Sequence, residues 1–228
     1  MGEISLRRRL EPTLQVDVWE VKLGDEFLMS SLFTAGEEAV ADLGLAAIDG
    51  EQLSVLVGGL GLGHTARAAL DDRRVGSVHV VEALAPVIGW HRDHLVPLGE
   101  GLAGDERCTF VHADFFALVA DGVQESTGRS TFDAILLDID HTPSHLLDAS
   151  HGGFYRPDGL QRVADQLSPG GGVFSLWSDE FTPNDEFVEV LRSVFDEVRA
   201  HVVAFPNHYT GGSSTSTIYV ATTAQSAA

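Results

Sequence analysis

The residues best suited to chemistry in this sequence cluster where short β-branched runs end. Gly58-Gly59-Leu60-Gly61-Leu62-Gly63 follows the run Ser54 to Val57 and precedes a helical segment opening at Thr65. Glycines at such a turn permit positive φ and let backbone N–H groups approach a ligand closely. Glu82 closes the next strand, nineteen residues after Gly63. A carboxylate there accepts both hydroxyl protons of a ribose. Asp114 closes the third strand, with Ala113 beside it, and Asp138 closes the fourth. Gly59, Gly61, Gly63, Glu82, Ala113, Asp114 and Asp138 are therefore the expected cofactor-binding residues. The competing reading is a tight strand-to-helix turn with a surface glutamate.

Two nucleoside cofactors compete for this pattern. Gly61-Leu62-Gly63-His64-Thr65-Ala66 satisfies G-x-G-x-x-A, the dinucleotide fingerprint, and so admits NAD. The match comes late, however, after Gly58, Gly59 and Leu60 have already left the strand. The alternating glycines at 59, 61 and 63, and a second carboxylate at Asp114 near an adenine amino group, favour S-adenosylmethionine.

Asp138-Ile139-Asp140-His141 supplies candidate acids and bases. Transfer from a sulfonium needs an acceptor held in line with the departing sulfur and with its lone pair free. Asp138 or Asp140 could orient an amine and take its proton, and His141 is the alternative base. Asp140 also reads as a loop cap and His141 as a surface histidine. Tyr155 reads either as closing the pocket or as a packed aromatic at a helix start. Asp138, Asp140, His141 and Tyr155 are thus the candidate catalytic residues. His91-x-x-His94 and His141-x-x-x-His145 lack a third partner in sequence, so no metal is expected. Trp177-Ser178-Asp179-Glu180 follows the fifth strand and borders the expected acceptor site.

The elements that must position these groups alternate along the chain. Strands are expected at 54–57, 78–81, 109–112, 134–137 and 173–176, with helices between them, then a strand pair at 202–205 and 217–220. Such alternation implies an α/β fold: a Rossmann-like, seven-stranded, mostly parallel sheet. One of the last two strands, joined without a helix, is expected to be antiparallel. Upstream, Leu14 to Ser31 alternates like strands, with a turn at Gly24-Asp25, and Ala35 to Ala47 reads as a helix. Residues 1–48 are accordingly read as a small N-terminal β appendage and 49–228 as the nucleoside-binding domain.

Composition limits the partners. The chain has 228 residues, 44% hydrophobic, with a formal net charge of −20. That charge repels phosphate backbones, which argues against nucleic acid. It either focuses cationic substrates such as amines or only maintains solubility. Apolar runs such as Ala134 to Leu137 are too short to span a bilayer, and no apolar stretch follows Arg7 to Arg9 as in a secretory leader. The one cysteine, Cys108, excludes a disulfide framework. A cytoplasmic location is expected, and Gln225 to Ala228 reads as disordered.

Several segments together carry a family resemblance. Val55 to Ala66 resembles the glycine loop of spermidine synthases. Phe132 to Asp138 is similar to the strand bearing their functional aspartate, and Phe154-Tyr155 and Leu167 to Gly171 resemble the segments that follow. The resemblance covers about residues 50 to 180 and implies the class I methyltransferase fold. It implies transfer of an aminopropyl group from decarboxylated S-adenosylmethionine to an amine, with Glu82 on the ribose, Asp114 on the adenine and Asp138 as active-site acid. It also implies a homodimer. The departures are specific: Leu62 stands where the family has a loop aspartate, His141 replaces the second acid of Asp-Ser-Ser-Asp-Pro, and Ala35 to Glu38 lacks the Tyr-His of a Tyr-His-Glu signature. Losing the loop acid relieves a like-charge penalty against intact S-adenosylmethionine. The expected function is therefore methyl transfer to a small, amine-bearing acceptor. Aminopropyl transfer and a non-catalytic nucleoside-binding protein are the alternatives.

Overall fold

The computed structural model describes residues 3–224; the tail 225–228, expected to be disordered, lies outside the described residues. Three strands, β1 (Ile4–Glu11), β2 (Val16–Leu23) and β3 (Glu26–Ser30), form an antiparallel N-terminal sheet. Gly24, at φ +61°, makes the tight turn between β2 and β3. Sequence periodicity missed β1 because Arg7-Arg8-Arg9 reads as a charge run. On the strand those charges are paired across the sheet, Arg8 with Asp17 and Arg9 with Glu20 at 2.8 Å, and Arg9 also pairs with Glu11 of its own strand at 2.8 Å.

The remaining elements build a second sheet with helices on both faces. They are α1 (Ala35–Leu45), β4 (Leu53–Gly58), α2 (His64–Asp71), β5 (Val75–Glu82), α3 (Ala85–Arg92) and α4 (Gly99–Ala103). Then follow β6 (Cys108–His112), α5 (Phe115–Asp121), α6 (Gln124–Thr127), β7 (Ala134–Leu137) and α7 (Pro157–Ala164). The last are β8 (Val173–Ser178), α8 (Asp185–Arg192), β9 (Glu197–Asn207) and β10 (Gly212–Thr222). The seven strands run β6-β5-β4-β7-β8-β10-β9, parallel from β6 through β8. The antiparallel strand is β10, against both β8 and β9. This is the α/β, Rossmann-like sheet of the class I methyltransferase fold, with a separate three-stranded sheet before it.

The central strands β4 and β7 are buried along their whole length, as parallel strands covered on both faces must be. On one face α5, α7 and α8 pack through Phe115, Leu160 and Leu191. On the other, α1 to α4 pack through Leu45, Leu70, Val87 and Leu102. Helix α1 lies on α2, β8 and β10, so it belongs to the layer covering the large sheet although it precedes residue 48. Among the described residues, no helix is long and apolar enough to cross a membrane.

The chain leaves β4 for β5 and β6 on one side, then returns to pair β7 on the other. That reversal opens a crevice beyond the carboxyl end of β4, where ligands bind in open α/β sheets. Helix α1 reaches it by close contact: a Cβ on Gly44 would fall 2.9 Å from Ser175 Cβ. Gly44→Val should overpack this contact and lower unfolding free energy by roughly 1–3 kcal/mol, measurable by urea titration.

Candidate active site

The crevice holds a cavity of about 310 Å³. Its floor is the glycine loop, which passes so near β7 that a Cβ on Gly59 (φ +94°) would lie 2.2 Å from the Asp138 carbonyl oxygen. Only glycine fits there. Gly61 (φ +46°) lies under Met29 of β3, and His91 Nε2 is 3.0 Å from the Gly61 carbonyl, so β3 and α3 clamp the loop. Gly59 and Gly61 line the cavity. Gly63 does not: it caps α2 and faces Leu102 and His91. The Leu62 side chain is also turned away, buried with Val21 and Val96 beneath the N-terminal sheet.

Glu82 is fixed by the loop it serves. One carboxylate oxygen accepts the Leu60 N–H at 3.1 Å and the other the Leu84 N–H at 2.8 Å. Burial raises its pKa, and these backbone donors oppose the rise. Glu82 lines the cavity with its carboxylate held by these donors. Asp114 caps α5 by accepting the Ala117 N–H at 3.0 Å and borders the same cavity. Ala113 borders only a shallow neighbouring groove, and its N–H is spent on the Glu82 carbonyl at 3.2 Å.

The two acids of Asp138-Ile139-Asp140 are separated by the loop turning after β7. Asp138 faces the cavity. Asp140 is 1% exposed and is consumed internally: it accepts from the Leu147 N–H at 2.7 Å and the Tyr155 hydroxyl at 2.8 Å, and lies 2.9 Å from His151 Nδ1. Burial and this carboxylate push the Tyr155 phenol well up. Asp140 and Tyr155 thus hold the 141–154 loop together and do not line the cavity. His141 does line it, with Nε2 3.1 Å from Glu26 of β3, linking the loop to the N-terminal sheet.

Glu37, in the first turn of α1, also lines the cavity, and sequence reasoning missed it. An acid in a first helical turn is ordinary, and nothing local shows that α1 would carry it to Asp138. Burial, then the neighbouring Asp138 charge, push the Glu37 pKa up to about 8. Burial raises Asp138 too, against a hydrogen bond from Thr65. The Thr65 hydroxyl lies 2.9 Å from Asp138 Oδ2 and 3.1 Å from the Glu37 carbonyl oxygen. Its single proton serves only one acceptor. Whichever acceptor it serves, the Glu37 and Asp138 carboxyls remain buried neighbours, and the charge of Asp138 opposes ionisation of Glu37. The pair is thus a buried acid couple that stores a proton or receives a cation.

Among the described residues lining the cavity, acids stand at Glu37, Glu82, Asp114, Asp138 and Asp148, and there is no lysine or arginine. The geometry is that of a class I methyltransferase-type fold with a nucleoside crevice ending at an acid couple. Solved structures share this fold. Spermidine synthase from Thermotoga maritima matches with TM-score 0.71 and 18% identity, over 96% of this chain and 69% of that one. A spermidine synthase in complex with the transition-state analogue AdoDATO matches with TM-score 0.74 and 19% identity, over 96% and 70%. Human methyltransferase-like protein 13 in complex with SAH matches with TM-score 0.54 and 20% identity, over 82% and 78%. In sequence, the chain is 26% identical over 162 residues to a polyamine aminopropyltransferase of Aeropyrum pernix, covering 69% of this chain. It spans about half the length of that curated relative, 48%. No family model matches. The sequence relative supports the resemblance to the spermidine synthase-like branch, and the solved structures share the class I methyltransferase fold.

A carboxyl whose folded pKa is raised binds more protons folded than unfolded between the two values, so stability falls as pH rises through that window. For Glu37 the window runs from its ordinary 4.5 to about 8. Glu37→Gln should remove this loss, leaving the variant more stable than the parent above pH ~8 and flattening the pH slope of Tm. Thermal melts from pH 5 to 9, converted to free energies, check it.

Proposed function

We propose that the chain is an alkyltransferase that moves an aminopropyl group from decarboxylated S-adenosylmethionine to an amine. The observation that carries this reading is the charge of the cavity: carboxylates at both ends and no lysine or arginine among its described lining residues. Intact S-adenosylmethionine would bring a carboxylate into that field, whereas the decarboxylated donor ends in an ammonium that suits it. The relatives named aminopropyltransferase and spermidine synthase support the same choice over methyl transfer.

The donor is a consumed substrate, and the residues present fit it. Glu82 and Asp114, at the ends of neighbouring strands, suit the ribose and the nucleobase, and the exposed backbone of Gly59 and Gly61 permits close approach. The acceptor enters as an ammonium against Glu37 and Asp138. One of these carboxylates takes its proton, which frees the nitrogen lone pair. The nitrogen then bonds to the aminopropyl carbon beside sulfur, and the carbon–sulfur bond breaks with its electrons going to sulfur. Methylthioadenosine and a secondary amine leave, and the proton returns to solvent. The raised pKa of both acids suits them to accept a proton near neutrality.

A second reading, methyl transfer from intact S-adenosylmethionine, is favoured by one feature: the glycine loop carries Leu62 and no acid, and that side chain is buried away from the cavity. Product analysis separates the two. Methylthioadenosine released from the decarboxylated donor and an amine supports aminopropyl transfer, and S-adenosylhomocysteine formed from the intact donor supports methyl transfer instead. Asp138→Asn should lower turnover by about a hundredfold or more while calorimetry still detects donor binding. Unchanged turnover would remove Asp138 from the mechanism.

A further inference from the structure

The far end of the cavity is walled by segments distant in sequence: Phe33 before α1, Trp177 on β8, and Phe205 and Ser216 on the β9–β10 hairpin. The Phe33 ring lies 6.0 Å from Phe205 and 5.7 Å from Tyr209. A Cβ on Gly36 would fall 2.4 Å from Trp177 Nε1 and 3.3 Å from Ser216 Oγ, so helix, strand and hairpin meet there closely. The hairpin is fixed to β1 by the Tyr209 hydroxyl, which accepts from Arg9 at 2.7 Å.

Charge at this end is concentrated at one place. The Glu37 and Asp138 carboxyls line the cavity as buried neighbours, and the Thr65 hydroxyl bridges Asp138 Oδ2 and the Glu37 backbone carbonyl. Glu26 and Glu38 lie outside the cavity lining, engaged with His141 at 3.1 Å and with the Thr34 hydroxyl at 2.8 Å; Asp148, on the lining, accepts from the Ser150 N–H at 2.9 Å and the Ser150 hydroxyl at 2.7 Å. A linear diamine bound with one nitrogen at the acid couple would carry its second ammonium in among Phe33, Trp177 and Phe205. Cation–π attraction offsets part of that desolvation. Only the Ser216 hydroxyl stands there to accept from the three N–H donors of a primary ammonium, fewer acceptors than burial demands. An apolar body placed there would instead exclude water from the rings.

We infer that the acceptor is a monoamine with an aryl or branched-alkyl body, its nitrogen at Glu37 and Asp138 and its body against Phe33, Trp177 and Phe205, and not a linear diamine. This rests on reading the site as one that alkylates an amine. The transfer balances as before: carbon–nitrogen bond formed, carbon–sulfur bond broken with its electrons to sulfur, one proton released.

The test measures methylthioadenosine release from decarboxylated S-adenosylmethionine with 2-phenylethylamine, 3-methylbutylamine and 1,4-diaminobutane. The two monoamines should exceed the diamine in kcat/KM by about tenfold or more. Phe205→Glu, placing a carboxylate at the apolar end, should shift the diamine-to-monoamine ratio towards the diamine by about tenfold, with circular dichroism confirming the fold. A wild-type preference for 1,4-diaminobutane would overturn this inference and leave aminopropyl transfer standing. An unchanged ratio in a folded Phe205→Glu protein would overturn the placement of the acceptor body. No methylthioadenosine with any amine would overturn both readings.

Discussion

The passage of Gly59 beneath the carbonyl of Asp138 governs the site. Two strands that are neighbours in the sheet but far apart in the chain, β4 and β7, end side by side there. A side chain at residue 59 would force them apart, because its Cβ would overlap a backbone oxygen at 2.2 Å. With glycine the loop lies flat, Glu82 ties it through the Leu60 N–H, and Asp138 faces the same cavity as Glu82. Glycine loop, Glu82 and Asp138 are thus placed by one backbone approach. Helix α1 adds its acid only because Gly36 and Gly44 let it sit down on β8 and β10.

The N-terminal sheet does more than decorate this arrangement. Met29 of β3 covers Gly61, and its sulfur lies 3.2 Å from the Leu62 nitrogen. Glu26 of the same strand meets His141, on the loop after β7. Leu62 fills the seam between the two sheets with Val21 and Val96. An apolar residue at this loop position therefore has a packing role, and the position contributes no charge to the cavity.

Much of the architecture could be read in the sequence because buried parallel strands leave contiguous apolar runs: Ala134 to Leu137 is one, and all four residues are buried. Gly58 to Gly63 and Glu82 were legible for the same reason, since each is fixed by its place at a strand end. What stayed hidden depends on distant segments. Strand β1 needed acidic partners on β2 to explain three consecutive arginines. Asp140 and Asp138 share spacing and chemistry, and only the turn of the loop towards His151 and Tyr155 separates a structural carboxylate from one facing the cavity. For Glu37 the one local signal is faint: Ala35 to Glu38 keeps an acid of the Tyr-His-Glu signature without its Tyr-His. The neighbour of Glu37, Asp138, lies about a hundred residues downstream, and shared burial is a property of the assembled fold.

The link between Tyr209 and Arg9 joins residues 200 positions apart. During synthesis, the chain emerges from its amino end and local elements form first. The glycine loop, Glu82, Asp114 and Asp138 all leave the ribosome before any residue of the β9–β10 hairpin. The half of the crevice at the glycine loop is therefore complete in sequence while the far half still lacks a wall. The first strand waits, with its arginines partly paired, for the last hairpin to arrive. Closing so long a loop costs more chain entropy than any local contact does. The wall of the cavity that carries Phe205 and Ser216 is in this sense the last part of it to be synthesised.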